Sequence, residues 1–242
     1  MSVQDHGRLD LDLCAQCGDQ LPYGMLCPSC AVALSGLKPP VIYPLGDSIG
    51  SVELLDHMGT DLKVANAARV SMAKESKSLT SRDKRLIGFL MRQEHGSPFE
   101  HNVMTLRVKA PLFIVRQWQR HRIASYSEQS GRWTEFEPEF YIPAEETDGT
   151  VMEWSKEAFA HYEARLAAGI PKERARIVLP PNLYTTMWVT ANARSWLNFI
   201  HLRFADDAQW EIQRYGEAVE THFARLWPNV QAAFLANGRL AP

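Results

Sequence analysis

Cysteine is confined to the start of this 242-residue chain, where all four cysteines fall between Cys14 and Cys30. Residues 31–242 therefore hold no thiol that could act as a catalytic nucleophile, and disulfides could staple only the first thirty residues. Long apolar runs are also lacking, since the longest, Ala110 to Val115, is far too short to cross a bilayer. The N-terminus, Met1 to Asp10, has no signal-peptide apolar region, so we expect an intracellular, cytoplasmic protein without a membrane partner.

An excess of charge of either sign is missing as well, because the formal net charge is only −2. The chain as a whole therefore does not attract nucleic acid, and any affinity for phosphate must come from local clusters. Hydrophobic residues make up 45% of the chain, which is enough for a sizeable core. We predict a cysteine-rich module over residues 1–36, a proline-rich linker over 37–44 and one large domain over 45–242.

Hydrophobic periodicity predicts an α+β fold for the large domain, with more helix than strand. Residues 102–110 alternate apolar and polar and predict a half-buried strand, while residues 51–56 are a short strand or the start of a helix. The remaining pattern predicts helices over residues 61–72, 81–94, 111–121 and 151–168. Residues 182–236 are predicted to be mostly helical, with a break near Pro228.

The four cysteines form two Cys-x-x-Cys hooks, Cys14/Cys17 and Cys27/Cys30, separated by nine residues. Two such hooks supply the tetrahedral thiolate set of a structural Zn²⁺ site, so we predict a small module like a zinc ribbon or zinc knuckle. Metal binding would supply the folding free energy that so short a segment lacks. A nucleic-acid reader is the weaker interpretation, because Arg8 is the sole Lys or Arg before Cys30. A redox pair is a further alternative.

Residues 107–132 concentrate positive charge, with six Lys or Arg side chains and a single acid, Glu128. Like charges about 5 Å apart repel by roughly 3 kcal/mol at an effective dielectric near 20, so such crowding suggests a bound anion. The forked guanidinium of arginine suits phosphate or carboxylate. Gly131 would let the backbone approach a phosphate, with Ser130 and Arg132 as donors. A solvated basic helix end followed by a polar loop is the plainer alternative.

This segment resembles the flavin-dependent thymidylate synthases, whose signature is Arg-His-Arg, seven residues, then Ser. Arg120-His121-Arg122 and Ser130 match it without a gap. Further segments resemble the family in its order and extend the resemblance over about residues 45–235: Asn66-Ala-Ala-Arg69-Val-Ser71, His95-Gly-Ser-Pro-Phe-Glu100-His101, Arg174-Ala-Arg176-Ile-Val-Leu-Pro180, Asn192-Ala-Arg194-Ser195 and Ala208-Gln-Trp-Glu211-Ile. The cysteine module departs from the typical member, so its role does not transfer.

The resemblance implies the family's α+β fold, a mixed sheet with long helices, in a homotetramer that holds FAD at subunit contacts. It implies an enzyme that makes dTMP from dUMP, with methylenetetrahydrofolate as the one-carbon donor and NADPH as the reductant. Two features of the residues agree. The large domain lacks the cysteine nucleophile of the other route to dTMP, and it lacks the Gly-x-Gly-x-x-Gly fingerprint of a Rossmann FAD site.

The resemblance also implies the site residues. Those expected to bind dUMP are Gln117, Arg120, Glu128, Ser130, Gly131, Arg132, Arg176 and Arg203. Those expected to bind FAD are His95, Ser97, Arg120, His121, Arg122, Glu128, Asn192, Arg194 and Asn198. Arg203 is the catalytic candidate, because a guanidinium beside the pyrimidine would stabilise charge at N3 and O4 and so activate C5.

Several of these residues have plainer interpretations. Arg203 would form a structural ion pair with Asp206 or Asp207, and Asn192 and Asn198 would be ordinary exposed helix residues.

The histidines and tryptophans have alternatives too. His95 and His101 would be core histidines or metal ligands, although no His-Glu-x-x-His spacing supports a metal. Packing, not stacking on a flavin, is the expected role of Trp118, Trp188, Trp196 and Trp210.

Two rival functions stay open for the whole chain. One is a zinc-containing nucleic-acid-binding protein that uses the cysteine module and the basic segment, which the slightly acidic balance disfavours. The other is a flavin-binding scaffold without turnover.

Overall fold

The structure is a computed structural model that describes residues 40–242. The predicted zinc module, with Cys14, Cys17, Cys27 and Cys30, and the first part of the linker lie outside this range. The described part contains these strands and α-helices: β1 Ser51–Met58, α1 Asp61–Arg69, α2 Ser81–Arg92, β2 Val103–Pro111, α3 Leu112–Trp118, β3 Ser125–Glu128, α4 Thr150–Ala167, α5 Lys172–Ala175, β4 Tyr184–Asn192, α6 Ala193–Arg203, α7 Trp210–Leu226 and α8 Pro228–Ala236. The α+β prediction is confirmed.

The four strands form one sheet in the order β1-β2-β4-β3, and every neighbouring pair is antiparallel. The expected mixed sheet is therefore wrong for the described residues. Two neighbouring strands are antiparallel when the chain between them comes back to the same end of the sheet, and this holds for each neighbouring pair here. The end of β1, Met58, pairs with the start of β2, Val103, and the end of β3, Glu128, pairs with Met187 near the start of β4.

Strand β4 is the main error of the secondary-structure prediction, which made this segment helical. Met187, Val189 and Ala191 are buried while Trp188 between them is 54% exposed, which is the period of two of a half-buried strand. Three threonines, one valine and the aromatic Tyr184 and Trp188 favour a strand, because branched and aromatic side chains pack well on a pleated surface. The predicted break near Pro228 is confirmed, because α7 ends at Leu226 and α8 begins at Pro228.

One face of the sheet is the core of the domain. Side chains from β1, β2 and β4 pack there against α6 and α7, and Trp118 and Trp196 are fully buried among them. These two tryptophans are core residues, as expected, whereas Trp188 and Trp210 are about half exposed. No helix within residues 40–242 is both long and apolar enough to span a bilayer.

A second, smaller core holds α4 and α5 beside the end of the sheet. Phe140, Phe159, Tyr162 and Leu183 are buried in it, and Phe136 packs against them. This small core fixes the loop after β3 relative to the turn after α5. The two segments that carry Gly131 and Arg176 are therefore held side by side.

Candidate active site

The Arg-His-Arg segment occupies the turn that follows α3. The helix ends at Trp118, earlier than the predicted end at His121, and the chain continues with single turns in which the His121 N–H donates to the Trp118 carbonyl at 2.9 Å. Because Trp118 is completely buried, it anchors the turn to the core. Arg120 and Arg122 are exposed on either side of His121, which is only 5% exposed.

His121 is bonded to two other elements. Its Nε2 lies 2.8 Å from the Ser195 hydroxyl in α6, and its carbonyl accepts a 2.6 Å hydrogen bond from the Tyr126 hydroxyl in β3. Its ring meets the edge of Phe199 at a centroid distance of 5.6 Å. Burial lowers the pKa of His121, and the nearby charge of Arg203 lowers it further, so the ring is neutral at neutral pH.

Arg203 reaches the same turn from the last residue of α6. Burial lowers the pKa of its guanidinium and the charge of Arg120 lowers it too, which indicates that the two guanidinium groups lie near each other. The guanidinium still remains charged at neutral pH. Its Nε is buried without a hydrogen-bond partner in the described chain. The alternative ion pair with Asp206 or Asp207 does not form.

Tyr126 shares this environment. Burial raises the pKa of its hydroxyl to about 12, although the charge of Arg203 acts in the opposite direction. The hydroxyl therefore stays protonated and continues to donate to the His121 carbonyl.

The loop after β3 brings Ser130 and Gly131 to Arg176. Gly131 is buried, and a Cβ on it would stand 2.5 Å from Cε2 of Phe136 and 3.0 Å from Cδ of Arg176. The glycine is thus required first by packing within the chain, a reason that differs from the predicted approach to phosphate. Arg132, in contrast, pairs with Glu173 at 3.1 Å and lies 5.4 Å from the ring centroid of Trp133.

Glu128 and Gln117, expected at the nucleotide, make contacts inside the chain. Glu128 accepts a 3.0 Å hydrogen bond from the Gln119 amide, which ties the end of β3 to the Arg-His-Arg turn. Gln117 donates to the side chain of Gln209, just before α7. Both residues lie on the segments that carry the arginines.

His95 and Ser97 flank Gly96, which lies against the side chain of Arg194. The Arg194 guanidinium covers Gly96, where an added Cβ would meet its Nε at 2.3 Å, and it pairs with Glu100 at 2.8 Å. His95 is exposed, so it is not a core histidine. Within residues 40–242 no group of three or more His, Cys, Asp or Glu residues could hold a metal ion, which leaves the metal alternative for His95 without support there.

Asn192 and Asn198 differ in their surroundings. The Asn192 side chain caps α6 by accepting a 2.9 Å hydrogen bond from the Ser195 N–H, so its oxygen is already used. Asn198 is half-buried on α6, four residues after Arg194, as the shared helix face predicted.

Four of the expected arginines have no acidic partner. In the part of the chain that the structure describes, no ion pair involves Arg120, Arg122, Arg176 or Arg203. Other members of the basic segment are paired: Arg107 with Glu53, Lys109 with Glu139 and Arg132 with Glu173.

Two residues of this site were not assigned a role from sequence. Ser195 and Tyr126 both form hydrogen bonds with His121. Neither side chain is charged, and the sequence indicates no general base paired with either of them. The sequence did hold a signal for the position of Ser195, because it lies three residues after Asn192, and an asparagine in that place caps a helix and holds the backbone of the third residue after it.

Comparisons with known proteins agree on one family. A family model described as "Thymidylate synthase complementing protein" matches residues 53–229. A flavin-dependent thymidylate synthase of Thermotoga neapolitana is 47% identical over 197 residues, covering 77% of this chain and 91% of that protein. One of Streptomyces coelicolor is 43% identical over 229 residues, with 79% and 93% covered. The crystal structure of a UMP/dUMP methylase, PolB from Streptomyces cacaoi, bound with 5-Br dUMP, superposes with a TM-score of 0.76 at 36% identity, covering 80% of this chain and 97% of that one.

Proposed function

This chain belongs to the flavin-dependent thymidylate synthase family, and from that premise we propose that it converts dUMP to dTMP with FAD, methylenetetrahydrofolate and NADPH. The relatives' names support the flavin and the product, and the solved methylase supports the nucleotide, since it holds 5-Br dUMP. The observation that carries the proposal is the set of four unpaired arginines, Arg120, Arg122, Arg176 and Arg203. Both dUMP and FAD carry phosphate, which guanidinium groups bind in forked geometry.

The dUMP phosphate would be held by Arg176 and the Ser130–Gly131 turn. The stem of Arg176 lies against Gly131, so its charge and the donors of the turn are together before any ligand arrives. Arg132 would contribute less, because Glu173 already neutralises it. Gln117 and Glu128 would complete the pocket from α3 and β3.

Arg203 would act on the pyrimidine itself. Its partly buried guanidinium, with no carboxylate beside it, would stabilise negative charge that develops at N3 and O4 and so make C5 a better nucleophile. The lack of a counter-charge supports this role, since a paired arginine would have little field left for the base.

FAD fits the residues expected to hold it. Arg120 and Arg122 offer unpaired charge for its pyrophosphate, and the Arg194 side chain lies against Gly96, between His95 and Ser97. Asn198 lies on the same helix as Arg194. When bound, reduced FAD supplies the hydride that completes the methyl group. The chain's part is to bind and orient the flavin and the nucleotide.

A homotetramer would complete the flavin site. The half-exposed Trp188 on the sheet and the exposed Ile177 beside Arg176 are large apolar side chains that a subunit contact would cover. The Cys14, Cys17, Cys27 and Cys30 module is proposed to bind structural Zn²⁺.

The test uses Arg203→Ala with Arg116→Ala as a matched control, because Arg116 is an exposed arginine on neighbouring α3 outside the proposed site. Wild-type protein should purify yellow and make dTMP. Arg203→Ala should keep FAD, read from its absorption spectrum, and lose dTMP formation by about 10²- to 10³-fold. Arg116→Ala should behave as wild type.

Each other outcome has a defined meaning. Wild-type turnover in Arg203→Ala would refute its catalytic role. Flavin binding without turnover in wild type would favour the scaffold, and colourless protein with salt-sensitive nucleic-acid binding would favour the rival binding protein.

A further inference from the structure

Ser195 joins the two halves of the proposed site. Its side chain is only 3% exposed near the start of α6, and its Oγ lies 2.8 Å from His121 Nε2. The same hydroxyl donates to the carbonyl of Ile123, just past the Arg-His-Arg signature. Its backbone N–H is fixed by the side-chain oxygen of Asn192 at 2.9 Å.

Counting hydrogens on Ser195 determines where the proton of His121 sits. A serine hydroxyl has one hydrogen and a backbone carbonyl can only accept, so that hydrogen belongs to the bond with Ile123. The contact with His121 must then use a lone pair of Oγ, and Nε2 must carry the hydrogen. We infer that Ser195 is a positioning residue that fixes His121 in the Nε2-protonated tautomer and leaves Nδ1 as a hydrogen-bond acceptor for a bound ligand.

The electrostatic surroundings agree with a neutral ring. Burial lowers the pKa of His121 and Arg203 lowers it further, and together they outweigh a hydrogen bond at Ser195, which raises it. Arg120 and Arg122 flank His121 in sequence, and the Tyr126 phenol donates to the His121 carbonyl. An imidazolium here would add a cation beside two arginines.

His121 Nδ1 remains available to a ligand. It makes no hydrogen bond within residues 40–242 and is not sealed in the core, whereas His222 Nδ1 is buried without a partner. The ligand group it suits is an N–H donor such as the imide of uracil or of a flavin, which contains an N–H between two carbonyls. This step rests on the proposed function, while the tautomer itself does not.

The direct experiment is neutron diffraction from crystals of the perdeuterated wild-type holoenzyme. Deuterium on Nε2 of His121 with none on Nδ1 is the expected result. Deuterium on Nδ1, alone or together with Nε2, would overturn the inference. The tautomer is readable even if the protein makes no dTMP, so failure of this inference and failure of the proposed function are distinguishable.

Ser195→Ala tests the consequence in solution, with Ser155→Ala as its matched control. Ser155 is also 3% exposed in a helix, donates to the Val151 carbonyl at 2.7 Å and accepts from Asn182 at 2.9 Å, but it lies in α4. Both variants should lose a similar amount of thermal stability. Only Ser195→Ala should lower kcat, by about tenfold or more, which is the loss seen when a metal-ligating histidine loses its outer-shell partner.

Equal kcat in the two variants would overturn the positioning role. A change in the pH profile of kcat for Ser195→Ala alone would support it, because Ser155→Ala removes an equally buried hydroxyl from α4 and leaves the partner of His121 in place. Should Ser195→Ala fail to fold, the wild-type neutron structure still decides the tautomer.

Discussion

Replacing Gly131 by alanine should weaken dUMP binding through a clash inside the protein. The new Cβ would stand 2.5 Å from Phe136 Cε2, 3.2 Å from Phe136 Cζ and 3.0 Å from Arg176 Cδ. Carbon atoms prefer about 3.5–4.0 Å, so the ring must retreat by roughly 1 Å and the arginine stem by about half that. Phe136 packs against the small core, which limits how far it can yield.

The size of the effect follows from these distances. Overpacking of this kind costs about 1–3 kcal/mol of stability, or roughly 2–4 °C in Tm per kcal/mol for a domain of this size. Misplacing Arg176 would lose a charge-assisted hydrogen bond of about 1.5–3 kcal/mol, which corresponds to a roughly ten- to hundredfold higher Kd for dUMP.

The assay is calorimetric titration of the FAD-loaded protein with dUMP, together with thermal unfolding. Gly88→Ala is the control, because Gly88 lies within α2 and its added Cβ would meet only the flexible end of Arg92, at 3.4 Å. That variant should bind dUMP normally and gain about 0.5–1 kcal/mol. If Gly131→Ala kept both the wild-type Kd and the wild-type Tm, the role of this glycine would be refuted.

Three further predictions concern stability and the N-terminal module. Asp83→Asn removes the carboxylate that neutralises the buried Arg69, so urea unfolding should show a loss of about 3–5 kcal/mol, and a loss under about 1 kcal/mol would contradict the buried ion pair. Burial lowers the pKa of His222 in the folded protein, so as the pH falls below about 6.5 the unfolded chain takes up a proton before the folded one does, and the free energy of unfolding should decrease by at most about 1.4 kcal/mol per pH unit. His222→Gln should reduce this slope, measured by urea unfolding at several pH values. An unchanged slope would count against the role of His222. Deleting residues 1–36 should remove bound zinc, measured by metal analysis, and leave FAD content intact; collapse of the flavin protein would show that the module supports the fold.

Much of the secondary structure could be predicted because it follows from the hydrophobic periodicity of neighbouring residues. The alternation along β2 and the helical period of α1, α2 and α4 are properties of neighbouring residues. Strand β4 was missed because the helix α6 follows it without a loop, so the hydrophobic periodicity taken over both segments together predicts a helix. The relative directions of the strands depend on which end of the sheet a long connection leads to, and the hydrophobic pattern of neighbouring residues contains no information about this.

Residues were proposed for the site from sequence, but their partners within the chain could not be predicted. Arg120 and His121 were proposed from the Arg-His-Arg signature and Arg203 from the wider resemblance, and the structure brings the three together. That Arg132 is neutralised by Glu173 depends on contacts between distant segments, as does the bond between Ser195 and His121. Charge alone made Arg132 and Arg176 look equivalent, whereas only Arg176 is unpaired.

The role of Arg176 as a phosphate ligand is tested most directly by comparing dUMP with deoxyuridine, which lacks the phosphate, in wild-type protein and in Arg176→Ala. The Kd of each ligand is measured by titration of the FAD-loaded protein. Arg176→Ala is expected to raise the Kd of dUMP roughly ten- to hundredfold and to leave the Kd of deoxyuridine unchanged, because only the phosphate meets the guanidinium. Equal Kd values for dUMP in the two proteins, or an equal loss for both ligands, would contradict it.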